Sequence, residues 1–174
     1  RYEHGHSMYE EVIRVPLMFK LPKSSSSTSV DVPVPNRLVF PTILELAGIP
    51  ALSDCGTGPS LAELWSGNAG SEAPLFSAGT NSLQDKEAVV FDGFKLIRHL
   101  GSEEDRLFHL EADPSELIPV NEVHPEKVDH GLRLVDAHQE WAREVRECYA
   151  PTVKPAGAPD KDTLRHLKSL GYIQ

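Results

Sequence analysis

Arg1-Tyr-Glu-His-Gly-His-Ser-Met-Tyr-Glu-Glu-Val-Ile-Arg-Val-Pro-Leu-Met-Phe-Lys20 opens the chain with a polar, histidine-bearing loop and runs directly into an apolar stretch. His4, His6, Ser7 and Tyr9 crowd around Gly5, which lets the backbone turn sharply, and Val12 to Leu21 then read as a mostly buried strand. Polar side chains at the mouth of a strand are how α/β folds place their sites, so the functional residues are expected here. Glu10 and Arg14 stand four apart, which would pair them on a helix and leave them on one face of a strand. Arg14, flanked by Ile13 and Val15, is read as a buried guanidinium satisfying loop carbonyls in preference to an anion ligand.

Downstream, Pro22-Lys-Ser-Ser-Ser-Ser-Thr-Ser29 is a polar, low-complexity surface loop, and Val30 to Pro35 is held extended by its prolines. Asn36 is placed to cap a helix through Leu38, Val39, Ile43, Leu44 and Ala47, with Pro41 in its first turn and Gly48 ending it. Ser60 to Trp65 makes a short helix, and Pro74 to Gly79 a short strand. Ala88–Phe91, Phe94–Leu100 and Arg106–Leu110 follow as strands joined by Asp92-Gly93 and by Gly101–Asp105. Asp-Gly between two such runs marks a tight hairpin, so an antiparallel meander of three or four strands is expected. After a turn at Asp113–Glu116 comes the longest helix, about Glu126 to Cys148, whose stripe of Leu134, Trp141, Val145 and Cys148, with Val135, Ala142 and Tyr149 beside them, is expected to lie on the meander. A last helix spans Asp160 to Leu170 and stops at Gly171.

Seventeen basic against twenty-six acidic residues give a formal charge of −9, which argues against non-specific nucleic-acid binding and against attraction to anionic membranes. An anionic ligand would need locally concentrated positive charge, and His4, His6, Arg14 and Lys20 are the grouping near a motif. No run of about eighteen apolar residues exists, so no membrane-spanning helix is expected. Cys55 and Cys148 are too few for a four-cysteine zinc site; they leave a disulfide open and say little about compartment. His99, His109, His124, His130, His138 and His166 form no H-x-x-x-H or H-E-x-x-H arrangement, so zinc is not expected. Trp65 and Trp141 are read as core or groove-lining residues before a sugar-stacking platform. The first residue is Arg1, in the middle of a motif, and the expectation is that an N-terminal part precedes it.

His4-Gly-x-Ser7-x-Tyr9-Glu-Glu-x-x-Arg14-Val-Pro-Leu17 resembles a signature of the sulfatase family, within the alkaline-phosphatase-like superfamily. Four further stretches resemble family segments in the same order: Phe40–Pro50, Gly58–Gly67, Leu107–Glu116 and Leu167–Ile173. The resemblance implies an α/β sulfatase fold, α+β in this portion. Residues 1 to 80 would end the large domain with a strand, a serine-rich loop and a helix. Residues 81 to 174 would form a small C-terminal subdomain, with an antiparallel sheet packed by the long helix.

For function, the resemblance implies that the complete protein hydrolyses sulfate esters with a formylglycine nucleophile and calcium. Neither Cys55, in Asp-Cys-Gly-Thr, nor Cys148, in Glu-Cys-Tyr-Ala, sits in a Cys-x-Pro-Ser-Arg type motif. No carboxylate cluster here suits calcium's about six to eight oxygen ligands. Nucleophile and calcium ligands are therefore expected in an N-terminal catalytic portion, with no cofactor in this one. His4 is the implied catalytic and substrate-binding residue, donating a hydrogen bond to a sulfate oxygen or a proton to the leaving alkoxide, with His6 as the alternative. The implied partners are that N-terminal portion and a sulfated small molecule or glycan; the implied compartment is secreted, periplasmic or lysosomal. Two rivals stay open: a phosphonate or phosphodiester hydrolase of the same superfamily, and a non-catalytic fragment or binding module.

Overall fold

Asp92 and Gly93 both adopt left-handed backbone conformations (φ 48° and 76°), the pair of positive angles that a two-residue hairpin turn requires. They join β2 (Lys86–Phe91) to β3 (Phe94–His99) in a four-stranded antiparallel sheet completed by β1 (Leu75–Gly79) and β4 (Arg106–His109), in the order β1-β2-β3-β4. The meander is thus as the strand spacing and the Asp-Gly turn predict. The computed structural model describes residues 7–22, 25, 27–50, 58–66, 73–79, 86–101, 104–149 and 160–169.

The register sorts side chains onto two faces. Val89 pairs with Leu96, Phe91 with Phe94, and Leu96 with Leu107, so Phe91, Val89, Leu96 and Leu107 share one face with Phe94. These pack with Val135 of α3 (Pro125–Tyr149) into the main core. Ala88 pairs with Ile97, and Lys95 with Phe108; these four line the opposite face, where Met8, Tyr9 and Ile13 pack. Both faces are covered, which explains why β3 reads as a nearly continuous apolar run rather than an alternating one.

Pro125 starts α3, where its missing N–H costs least. The face of α3 on the sheet is carried by Val128, Gly131, Leu132 and Val135 in its first half. Leu134 and Val135 of the expected stripe do pack on this core, but the rest of it is set too far towards the C-terminus: Val128 and Leu132 take that place and Cys148 is exposed. The sheet is short, so a helix of 25 residues can lay only part of its length on it. At Gly131 the helix comes close, because a Cβ there would lie 2.8 Å from Leu96 Cδ2 and 3.0 Å from Phe91 Cε1. Alanine should therefore cost stability despite its better helix propensity of about 1 kcal/mol. Overpacking a core costs about 1–3 kcal/mol, so Gly131→Ala is expected to lower the denaturation midpoint, with a net loss of up to about 2 kcal/mol. An unchanged or raised midpoint would mean that Leu96 yields without strain.

The outer edge of β4 is covered by the turn that follows it. Leu107 N–H donates to Asn121 Oδ1 (2.9 Å), Asn121 Nδ2 donates to the Asp105 carbonyl (2.9 Å), and Val120 N–H donates to the Leu107 carbonyl (2.8 Å). A side chain and a loop amide thus occupy groups that an edge strand would leave open to another chain.

Ahead of the sheet, a 3-10 turn (Asn36–Leu38) leads into α2 (Val39–Leu46). Asn36 does not cap by its side chain, since it lies inside the turn, after Pro35. The C-terminal end is as expected: Gly48 (φ 69°) donates to the Glu45 carbonyl and Ile49 to the Leu44 carbonyl, the paired bonds of a Schellman ending. Asp160 Oδ1 caps α4 (Lys161–Ser169) through the Thr163 N–H at 2.8 Å.

The expected strand from Val12 to Leu21 is not formed. Glu10–Ile13 is one helical turn, α1, and residues 14–21 join no sheet among the described residues. A strand is defined by its neighbour's ladder, and here none lies alongside, so side chains meant for burial stay exposed, Met18 at 86%. Arg14 is exposed too, against the expectation of a buried guanidinium. On α2, Phe40, Ile43 and Leu46 are likewise exposed.

Candidate functional site

Lys95 is the second residue of β3, between Phe94 and Leu96, and its side chain is wholly buried on the face away from α3. Its ammonium lies 2.8 Å from Glu116 Oε1 and 3.1 Å from Glu10 Oε1. The Glu116 contact is close but off hydrogen-bond alignment, so its attraction is chiefly coulombic. Glu116 Oε2 accepts the Glu10 N–H at 2.6 Å. That amide is at the start of α1, where a helix has no carbonyl of its own to offer. Glu116 therefore holds both the lysine and the backbone of the opening segment.

Glu116 reaches this position through a turn built by Asp113. The Asp113 carboxylate accepts the N–H groups of Leu117 and Ile118, both at 2.8 Å, and its carbonyl accepts the Glu116 N–H at 3.1 Å. Glu116 itself takes a left-handed conformation (φ 53°), which a non-glycine residue adopts only when its surroundings hold it.

Tyr9 adds further anchors. Its hydroxyl accepts from Arg106 Nη1 at 2.8 Å, and its ring meets Phe108 edge-on with centroids 5.8 Å apart. Met8 is buried beneath. Three consecutive residues are thus fixed on the sheet by burial, an aromatic contact and charge. Beside them lies a depression of about 290 Å³, reached by Ser7, Tyr9 and Glu11 from the opening segment and by Lys86, His99 and Arg106 from the sheet.

His4 and His6 lie outside the described residues; Ser7, the first residue described, follows His6 directly. Arg14 and Lys20 are exposed and line no part of the depression. The expected pairing of Glu10 with Arg14 gives way to Glu10 with Lys95. Most of the remaining histidines serve aromatic packing. His109 and His124 meet Phe94, His130 meets Phe91, and His138 stacks on Phe76 with centroids 3.9 Å apart, beside Trp141. Burial lowers the His138 pKa, helped by the Arg37 charge and opposed by Glu87. Arg37 lies over the Trp141 ring, so that tryptophan lines the junction between the 3-10 turn and α3. Cys148 is disulfide-bonded and so is no thiol nucleophile. Among the described residues there is no group of three or more His, Cys, Asp or Glu that could hold a metal ion. No helix among them is long and apolar enough to cross a membrane.

The family model for the C-terminal part of N-sulphoglucosamine sulphohydrolase matches residues 2–134, well over half of the chain. The chain belongs to that family. It is a C-terminal sulfatase portion. A curated protein named "Sulfatase", from Formosa agariphila, is 28% identical over 113 residues, which are 65% of this chain and 22% of that protein. The solved structure of BT4656 in complex with its substrate D-glucosamine-2-N,6-O-disulfate superposes with a TM-score of 0.51 at 20% identity, over 60% of this chain and 23% of that one. A second structure, from Bacteroides thetaiotaomicron VPI-5482, gives 0.50 at 17% identity, over 70% of this chain and 27% of its own. At such identities the structural likeness speaks for the fold alone: the small antiparallel sheet with its helices is the C-terminal part of the sulfatase fold. The chain spans about a quarter of the length of these relatives.

Sequence reasoning missed Lys95 and Glu116. A signal was present: one lysine inside Phe94-Lys-Leu-Ile97, directly after a hairpin turn, in a run otherwise fit for burial on both faces. A buried lysine needs an acidic partner, though its position in the fold, not the spacing, tells which.

Proposed function

We propose that the complete protein hydrolyses sulfate esters and that this chain supplies one edge of the active site, the loop holding His4 and His6. The observation that carries this reading is the family match, which begins at Tyr2 and so takes in the whole histidine-bearing signature. The anchoring of Met8, Tyr9 and Glu10 on the sheet supports it, because a reactive loop must be held from at least one end to present its side chains in a fixed geometry.

On this reading His4 acts at the ester: its imidazolium donates a hydrogen bond to a sulfate oxygen or a proton to the departing alkoxide, and His6 is the alternative donor. Formylglycine and calcium belong to the same proposal and to the N-terminal portion, and no step in this chain passes through either. A sulfated glycan is the proposed substrate class, in line with the disulfated glucosamine bound by the solved relative.

The test is sulfate release from a sulfated glucosamine by the complete protein, run beside a phosphodiester and a phosphonate of similar size. Sulfate release with the other two inert is expected. Faster cleavage of a phosphorus ester would transfer the protein to the rival hydrolase class, and no turnover of any of the three would leave a binding module.

A further inference from the structure

Arg37 leaves the 3-10 turn Asn36–Leu38 and ends over the ring of Trp141, its Cζ 5.6 Å from the centroid. The path is narrow: a Cβ on Gly58 would lie 2.5 Å from Arg37 Nη1, and Gly58 holds a left-handed backbone (φ 77°) that side chains rarely adopt. Gly58 thus leaves room for the guanidinium on its way to the indole. Trp141 in turn stacks with His138, three residues earlier on α3, at 5.2 Å between centroids and 26° between planes. His138 lies flat on Phe76 of β1, at 3.9 Å and 1°. One stack, Arg37–Trp141–His138–Phe76, therefore runs from the block ahead of the sheet, across α3, to the first strand.

The imidazole in this stack can change its charge. Among the described residues, Arg37 from the 3-10 turn and Glu87 from β2 are the charges that bear on it, while Phe76 on β1 and Trp141 on α3 bring none. Arg37 already places a cation against the indole, so a second one on His138 would compete for the same ring and be repelled by the first. Glu87 pulls the other way, but Gln139 Nε2 donates to both of its oxygens at 2.7 Å. Burial first, and then Arg37, lower the His138 pKa from its ordinary value of 6.5 against the pull of Glu87. A base held neutral by its folded surroundings binds its proton less readily there than in the unfolded chain. The stack is therefore intact above its ordinary value and weakens as pH falls below it.

We propose that this junction is an acid-released latch: with His138 neutral, Arg37 stays over Trp141 and ties the 3-10 turn and α2 to α3, and when His138 takes a proton the two cations compete for one indole and the tie opens. The latch is independent of the reaction the protein performs. It sets how firmly α2, with its exposed Phe40, Ile43 and Leu46, is held against the sheet and its helix.

Hydrogen exchange of the complete protein, read by mass spectrometry and corrected for the pH dependence of chemical exchange, tests this. Between about pH 7.5 and about pH 5.5, protection of residues 36–46 is expected to fall about two- to fivefold, the size of one exposed cation–π contact, while β2 and β3 keep theirs. His138→Phe keeps a flat ring between Phe76 and Trp141 but takes no proton, and should abolish the fall. Arg37→Gln, at an exposed residue, keeps the test open if His138→Phe disturbs the stack: protection of residues 36–46 should already be low at the higher pH and change little with acid. Equal protection at both pH values in the unaltered protein, or an undiminished fall in either variant, overturns the latch. An equal fall in β2 and β3 overturns it too, because acid would then be unfolding the whole sheet.

Discussion

Lys95→Met is expected to destabilise the protein by about 3–5 kcal/mol, the usual cost of removing one partner from a buried ion pair. Methionine fills nearly the same volume, so the loss would come from charge and not from a cavity. It would strand Glu116, whose side chain is 2% exposed, and would leave Glu10 without its cation. Denaturant unfolding of both proteins measures the difference. A companion variant separates charge from packing: Lys95→Met with Glu116→Leu removes the lysine and its more deeply buried acid together, and should recover much of the loss because apolar residues pack where the ions stood. A double variant as unstable as the single one would show that the Glu116 bond to the Glu10 N–H, not the lysine, holds the opening segment.

This network also marks the boundary between what was legible in the chain and what was not. Asp92-Gly93 announced the hairpin because two left-handed residues in succession are a local demand that few pairs of residues meet. Gly48 announced the end of α2 for the same local reason. The existence of α3 was legible in its length, and Leu134 and Val135 in its stripe, but Val128 and Leu132 were not, because they depend on which turn of the helix the short strands reach. The opening segment failed differently. Its apolar run from Val12 to Leu21 has the pattern of a strand, yet a strand also needs a neighbour's ladder, and none stands beside it among the described residues. The histidine loop is read from its motif alone and lies outside the described residues, whereas Lys95 and Glu116 stand 21 positions apart and meet Glu10 only because β3 and the Asp113 turn deliver them to the same face. Partnerships of that range are set by topology, which no local spacing encodes.

The remaining large effect is at the histidine loop. In the complete protein, His4→Ala is expected to lower kcat/KM for a sulfate ester by about 10²–10⁴-fold if the imidazole acts as general acid, with a smaller loss for His6→Ala. The two proposed roles for His4 make different demands on the leaving group. Proton donation matters most for an alkyl sulfate, whose alkoxide is a poor leaving group, and little for a nitrophenyl sulfate, whose phenoxide departs unaided. A hydrogen bond to a sulfate oxygen would serve both substrates alike. His4→Ala should therefore harm alkyl sulfate hydrolysis far more than nitrophenyl sulfate hydrolysis, and equal losses would assign His4 to sulfate binding. The pH profile gives an independent check. A general acid must be protonated to act, so kcat should fall as pH rises, and that limb should vanish in His4→Ala. Glu10→Gln tests the anchor with the histidines intact: it weakens the hold of Lys95 on α1 and should reduce kcat modestly while the pH limb stays. If Glu10→Gln abolished the limb as well, the carboxylate would have to act on the titrating group itself, against its pairing with Lys95.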